Sequence, residues 1–308
     1  MRVGAIDIGT NSVLLLIAER GSVGGGLTQV IDRATITRIG QGVDRTGMLA
    51  DEAVARTLAC IDDYAATLRE HEVELVAAVA TSAMRDAKGG ERFLDGFEQR
   101  VGVRPEVISG DREAALTFRG ALCGLEDRLT EARVAVFDVG GGSTEIIVGE
   151  RGRGEAGIEA AISIDVGAVR MTERHVHGDP TTSEEVAAIR EDVRRLLAPA
   201  PDLHGLPLVG VAGTVTTVAA VVGGVDPYDG SRVHGSRLSA SDMAAVIDRL
   251  AACTLAERRE IVGLDPKRAD VILAGALVTD EVRARAGADS LMVSDRGVRW
   301  GLALELTD

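Results

Sequence analysis

The chain has 308 residues, 45% of them hydrophobic and only 2% aromatic, with a formal net charge of −14. At roughly 100–200 residues per domain, this length predicts two domains, and their cores must be built from Ala, Val, Leu and Ile. The acidic balance argues against a nucleic-acid binder, which needs a basic footprint, and no apolar run reaches the ~18 residues needed to span a bilayer. MRVGAIDIG reads directly as a strand, with no basic-then-apolar leader before it. Cys60, Cys123 and Cys253 form no CxxC pair and no metal spacing, and an odd count argues against a disulfide framework. A cytoplasmic protein that binds neither nucleic acid nor membrane is the expectation. Lys88 and Lys267 are the only lysines. Neither lies in a GxxxxGK[ST] loop, which excludes a P-loop NTPase.

In chain order, 2-8 and 13-18 read as buried strands around a turn at 9-11. A third strand is expected at 27-37, after a Gly-rich hairpin turn at 21-26. In 51-71, Val54, Leu58, Ile61, Ala65 and Leu68 share one helical face. An apolar strand at 73-83 runs into a loop. A helix at 90-101, a strand at 103-108 and a helix at 110-125 follow, the last with Asp111 near its start. Strands then restart at 133-138, 144-149 and 157-164, followed by helices at 167-176 and 183-197. A strand at 207-212 opens into a helix at 213-224. Helices at 239-251, 254-262 and 267-286, a strand at 290-295 and a helix at 296-306 complete the pattern. The linker is expected near 124-132.

The restart is also visible residue by residue. GAIDIGTNSVLLLIAERG at 4-21 aligns without a gap on AVFDVGGGSTEIIVGERG at 135-152. Asp7 falls on Asp138, Gly9 on Gly140, Ser12 on Ser143 and Glu19 on Glu150. RGRGEAG at 151-157 occupies the place of the Gly-rich turn. Glycine lets backbone N–H groups approach an anion, and Ser adds a hydroxyl donor. A carboxylate ending the first strand, Asp7 or Asp138, can hold Mg²⁺ beside a phosphate. Ordinary glycine hairpins with Asp bonded to its own backbone would look similar one at a time; two aligned copies favour a clamp for a chain of phosphates.

The copies differ at one informative position: Leu14 is matched by Glu145. A carboxylate beside Ile146 and Ile147 is costly to bury alone, so Glu145 is expected to face a metal or water, with an arginine salt bridge as the alternative. A third turn, VGVAGTVTTVAAV at 209-221, has strand–turn–helix form. The N–H groups near Gly213 and Thr214 could receive an anion there, although Gly-Thr is also ordinary capping. Arg85 follows a buried strand in ATSAMRDA. Glu113 stands in the first turn of a helix in VISGDREAAL, either as a partner of the helix dipole or as a general base for water. Arg296 and Arg299 open the last helix, where cations are unfavourable without a nearby anion. His234 fits a turn residue as well as a ligand.

Together, DIGTNSVLLL, VATSAMRDA, ISGDREAAL, FDVGGGSTEI, VAGTVTT, RADVILAGA and VSDRGVRWGL resemble the exopolyphosphatase / guanosine pentaphosphate phosphatase family, over nearly the whole chain and in the expected order. The resemblance implies an α/β fold: two ribonuclease-H-like domains of the acetate-kinase, sugar-kinase, Hsp70 and actin superfamily flanking a cleft. The domains would be 1-126 and 127-296, with the C-terminal helix 297-308 joined to the first. It further implies that Glu113 is the general base and Arg85 an active-site arginine. Asp138 and Glu145 would be metal carboxylates, with Asp7 added from the first copy. Gly140, Gly141, Gly142 and Ser143 would bind phosphate, as would Gly9, Thr10, Asn11 and Ser12 of the first loop, Gly213 and Thr214 of the third, and Arg268. Where many members are acidic before the base, this chain has Arg112. The implied cofactor is Mg²⁺ or another divalent cation, and the implied substrates are inorganic polyphosphate or guanosine pentaphosphate. A homodimer is left open. The helical and C-terminal regions of longer relatives are not expected here, and with them long-chain processivity.

The expected reaction is hydrolysis of a terminal phosphoanhydride, in which positioning and electrostatics supply most of the catalysis. Two rivals stand beside it. A kinase of the same superfamily would need an acceptor site, which no motif marks. An alarmone sensor would have no need of Glu113, Asp138 and Glu145.

Overall fold

The computed structural model describes residues 1–21 and 27–307. Most of the Gly-rich turn expected at 21-26 therefore lies outside the described residues. The chain forms two compact units, Met1–Gly120 with Val298–Asp308, and Ala121–Gly297.

The first unit runs β1 (Arg2–Ile8), β2 (Ser12–Arg20), β3 (Leu27–Ile36), α1 (Val43–Thr46), α2 (Asp51–Glu70), β4 (Leu75–Ala80), α3 (Ser82–Asp86), α4 (Glu91–Val101), β5 (Glu106–Val107) and α5 (Gly110–Leu122). Its sheet has the order β3-β2-β1-β4-β5. β1 to β3 are antiparallel, and β1, β4 and β5 are parallel. β1 reads Val-Gly-Ala-Ile-Asp-Ile and is buried on both faces, as a central strand covered by helices must be. Ile61, Tyr64 and Leu68 of α2 pack with Phe93 and Phe97 of α4 in this core.

The second unit runs β6 (Arg133–Val139), β7 (Thr144–Glu150), β8 (Ile158–Ile164), α6 (Ala168–His175), α7 (Ser183–Leu196), β9 (Leu208–Val211), α8 (Ala212–Gly223), α9 (Gly230–Val233), β10 (Arg237–Ser239), α10 (Ala240–Ala252), α11 (Leu255–Arg258), α12 (Ile272–Arg285) and β11 (Ser290–Val293), with 3₁₀ turns at Gly154–Gly157 and Pro266–Arg268. Its sheet order is β10-β11-β9-β6-β7-β8. α12 is buried on every face from Ile272 to Val282, as befits a helix at the centre of a core.

The two sheets share the arrangement expected of ribonuclease-H-like domains. Three antiparallel strands lead into parallel ones, and even the irregularities coincide. The β2–β3 register shifts between Ile17 and Ala18, and the β7–β8 register between Val148 and Gly149, the same place after the offset of the repeat. The final helix, α13 (Val298–Glu305), belongs to the first unit. Arg299 donates to both carboxylate oxygens of Asp32 at 2.8 and 3.0 Å, and Arg112 makes a two-pronged pair with Glu305. Gly301 lies against the Leu116 backbone so closely that a Cβ would collide with it.

Several elements depart from the sequence expectation. α3 forms where a loop was expected after β4, because five residues are too few to display a helical period. The strand expected at 103-108 shortens to Glu106–Val107, since Pro105 brings no N–H to the ladder. The helix expected at 254-262 ends at Arg258. That expected at 267-286 splits, because the Asp265 side chain caps Lys267 N–H over Pro266 and starts a separate 3₁₀ turn. β10 has three residues, too few to show alternation. Among the described residues, no helix is long and apolar enough to cross a membrane.

Candidate active site

The repeated turns are matched in geometry as well as in sequence. Gly9 N–H donates to the Ser12 carbonyl at 3.0 Å, and Gly140 N–H donates to the Ser143 carbonyl at 3.0 Å. Asp7 stands opposite Leu14 in the first hairpin, and Asp138 stands opposite Glu145 in the second. Each Asp ends a central strand whose parallel neighbour leads into a further expected site segment: β4 into Arg85, and β9 into Gly213. Loops at the carboxyl ends of parallel strands are the usual place for ligands in α/β sheets.

In both turns the carbonyls are drawn away from the turn's own N–H groups. Thr10 O accepts from Gly40 N–H at 2.9 Å, and Asn11 O accepts from the N–H groups of Thr37 and Arg38 at 3.0 and 2.9 Å. In the second turn, Gly140 O accepts from Ala168 N–H at 2.9 Å, and Gly141 O accepts from Val169 and Arg170 N–H at 2.9 and 3.1 Å. The Arg170 Nε–H donates to Gly142 O at 2.7 Å. Among the described residues, the N–H groups of Gly141, Gly142 and Ser143 donate to no backbone carbonyl outside the strand ladders. Successive N–H groups of this kind form an anion-binding nest.

Asp138 and Glu145 face one another across the β6–β7 ladder, 9% and 1% exposed. Ser163, opposite Glu145 on β8, donates its hydroxyl to Glu145 Oε1 at 2.6 Å. Like charges directly opposite across a ladder repel, and burial sharpens the repulsion. A hard divalent cation fits this pair. Mg²⁺ is commonly held by one or two carboxylates, with water and substrate phosphates completing its shell. Among the described residues no group of three or more His, Cys, Asp or Glu side chains is placed to hold a metal, so the fit rests on the pair. Asp7, 7% exposed, faces Leu14 rather than a second carboxylate.

In the first unit, Arg85 lies in the last turn of α3 and Glu113 in the first turn of α5. Arg85 NH1 donates to Glu113 Oε2 at 2.6 Å and to the Ile108 carbonyl at 3.0 Å. Glu113 is 6% exposed. The two expected catalytic side chains therefore form a charge-assisted pair, a strong hydrogen bond of defined direction.

The third turn begins one residue early, at Ala212, whose φ of 68° is left-handed. For a residue with a Cβ this conformation carries strain of a kind that clusters at functional sites. The Arg268 guanidinium packs over Gly213 where a side chain would stand, and desolvation pulls its pKa down. Thr214 turns inward: it is 6% exposed, and Gly275 of α12 is small enough to receive it. Its hydroxyl is thus packed in the interior, while the neighbouring Thr216 and Thr217 hydroxyls return to carbonyls of their own helix. His234 is a turn residue whose Nδ1 accepts from Asp295 N–H at 3.3 Å. Arg299 has Asp32 as the anion its helix-start position called for, and Arg296 donates to the Cys123 carbonyl at 3.0 Å. Sequence reasoning did not single out Arg170 or Ser163. Ser163 could have been found by pairing Glu145 across the third strand; Arg170 is one arginine among many at a helix start.

The chain matches the Ppx/GppA phosphatase family over residues 16–308. It is 42% identical over 322 aligned positions to Exopolyphosphatase 2 of Mycobacterium tuberculosis (strain ATCC 25618 / H37Rv), covering 99% of this chain and 98% of that protein. It is 29% identical to the guanosine-5'-triphosphate,3'-diphosphate pyrophosphatase of Vibrio atlanticus, covering 99% of this chain and 59% of that longer protein. A crystal structure of an exopolyphosphatase-like protein superposes with a TM-score of 0.92 at 38% identity, over 99% of this chain and 97% of the other. The fold and the paired turns define a two-unit α/β protein with a repeated strand–turn–strand unit. The chain belongs to the Ppx/GppA phosphatase family, and with it to the phosphoanhydride hydrolases.

Proposed function

We propose that the chain is an exopolyphosphatase that removes the terminal phosphate of inorganic polyphosphate. The observation that carries this reading is the buried pair Asp138 and Glu145 beside a turn whose N–H groups are presented as a nest. In this mechanism the N–H groups of Gly141, Gly142 and Ser143 hold oxygens of the terminal phosphate. Glu113 takes a proton from water as the water oxygen bonds to phosphorus. The phosphoanhydride P–O bond breaks, and its electron pair leaves on the shortened chain. Arg85 gives up its bond to Glu113 and turns to the charge on the transferring group, which raises the basicity of Glu113 as the phosphate arrives. Asp138 and Glu145 would hold Mg²⁺, which supplies charge neutralisation to the phosphate oxygens when bound. Such preoriented donors supply most of the barrier lowering in phosphoryl transfer.

Likeness to the Vibrio protein supports a second substrate reading, removal of the 5'-terminal phosphate of guanosine pentaphosphate by the same steps. Phosphate release would be measured from short polyphosphate, long polyphosphate and guanosine pentaphosphate, with and without Mg²⁺, for wild type and Glu113→Gln. Mg²⁺-dependent release is expected, lowered by about 10²–10⁴-fold in the variant as for loss of a general base, with substrate binding retained. Release from none of the three substrates by the wild type overturns the proposal, and the ratio among them decides between the two substrate readings.

A further inference from the structure

We propose that Arg170 is a positioning residue for phosphate binding, acting through the carbonyl of Gly142. This rests on the reading of 140–143 as the phosphate loop. A peptide group is planar, so fixing the direction of a carbonyl also fixes the direction of the next residue's N–H. The carbonyls of Gly140 and Gly141 are fixed by backbone donors at the start of α6. The carbonyl of Gly142 is held by the Arg170 Nε–H at 2.7 Å, and its peptide partner is the N–H of Ser143. Arg170 is itself well placed to hold it: its side chain is 11% exposed, and its NH2 lies 3.8 Å from Asp165 Oδ1. In the first turn the equivalent carbonyl, that of Asn11, is held by two backbone N–H groups. Between the two turns, among the described residues, only the second depends on a side chain for this bond, and Gly142, with Gly141 before it, gives that peptide freedom to flip once the bond is lost.

Arg170 also differs from the residues expected to touch phosphate. Its guanidinium is engaged on the far side of the loop, at a carbonyl, where it orients the loop and leaves the N–H face to the substrate. Its removal therefore misdirects a donor without deleting one.

The test compares wild type, Arg170→Ala and Arg170→Lys, with Arg195→Ala as an exposed control on α7. With tripolyphosphate as probe, Arg170→Ala is expected to lose about 100-fold in kcat/KM, the scale of a 1 Å misplacement, and to show a raised KM. A merely structural role would lower the active fraction and hence kcat, leaving KM unchanged. Arg170→Lys keeps a donor for the Gly142 carbonyl and should recover at least part of the loss, as should added guanidinium at non-denaturing concentration. The amide NMR signals of Gly142 and Ser143 should move in Arg170→Ala and stay in place in Arg195→Ala. Unmoved signals, or an unchanged KM, overturn the proposal. If the wild type releases no phosphate from any probe, the exopolyphosphatase reading fails by itself, and the amide signals together with tripolyphosphate affinity still decide the role of Arg170.

Discussion

The two turns of the repeat follow one chain path and close with the same hydrogen bond, Gly9 to Ser12 and Gly140 to Ser143. They differ in what lies under the turn and in what holds it. The first has Asp7 opposite Leu14 and is anchored by backbone N–H groups of residues 37–40. The second has Asp138 opposite Glu145 and is anchored partly by the Arg170 side chain. Among the described residues, the duplicated scaffold thus carries a facing pair of carboxylates, and a side-chain bond to the third carbonyl of the turn, in the second copy and not in the first. The backbone of a turn can be preserved while its chemistry diverges, because the ladder needs main-chain groups and is indifferent to which side chain faces the ligand.

The largest effect should come from erasing the chemical difference. Glu145→Leu makes the second hairpin copy the first. Phosphate release should fall by at least about 100-fold, as for removal of a preorganised electrostatic group, and Mg²⁺ should no longer raise Tm, since stabilisation by a ligand requires its site. In metal-free buffer the variant should melt no lower than wild type, because a like-charged buried neighbour has been removed. A fall of several degrees there would mean that Glu145 is stabilised by the protein and not by a bound cation.

A smaller loss should follow from pressing on the anchors. A Cβ at Gly167 would stand 2.5 Å from the Gly141 carbonyl oxygen, a backbone atom of the phosphate loop. Gly167→Ala should cost about 1–3 kcal/mol of stability by overpacking, read by denaturant unfolding, and should lower kcat/KM as well. At Gly40, beside the first turn, the added methyl meets side-chain carbons of Thr10 and Ala83 and no backbone atom of the turn. Gly40→Ala should therefore be milder in both measurements; equal losses would show that the two turns are held equally firmly.

The smallest effect concerns the second unit's acid tolerance. Burial, with Arg296 and Arg128 nearby, lowers the His234 pKa to about 4. The unfolded chain then binds this proton first, near pH 6.5. The contribution of neutral His234 is present above pH 6.5 and is lost as pH falls from 6.5 towards 4. Thermal melts of His234→Asn should show a shallower decline across that window than wild type, and activity above pH 7 should be unaffected by this histidine's titration. A decline as steep as in wild type would remove His234 from the acid response.

Much of the fold was legible because the repeat is written in the side chains that face the cores. Ile6, Ile8, Val13, Leu15 and Ile17 mark buried strands in the first copy, and Phe137, Ile146 and Val148 do so in the second. Asp7 and Asp138 stand out as charges near the ends of apolar strands, Glu145 as a charge within one, and Arg85 and Glu113 as charges in short segments that follow strands. Thr214 was legible as a residue of a helix start, but its inward direction was not: that depends on Gly275, 61 positions later, lying on the helix that packs against it. Short pieces such as α3, α9 and β10 carry too few residues for any period to show.

The amino-acid sequence by itself determined the two-fold repeat, the strand–turn–strand units and the identity of the charged groups at their ends, since these follow from local periodicity and from glycine's freedom at a turn. Only the tertiary structure decided that Glu145 faces Asp138 and Ser163 across neighbouring strands, that Arg85 is bonded to Glu113, and that Arg170 holds the Gly142 carbonyl. Apart from Asp138 and Glu145, which share one hairpin, these are contacts between residues well separated in the chain. Their energies depend on distance and direction in space, and no local pattern of residues encodes either.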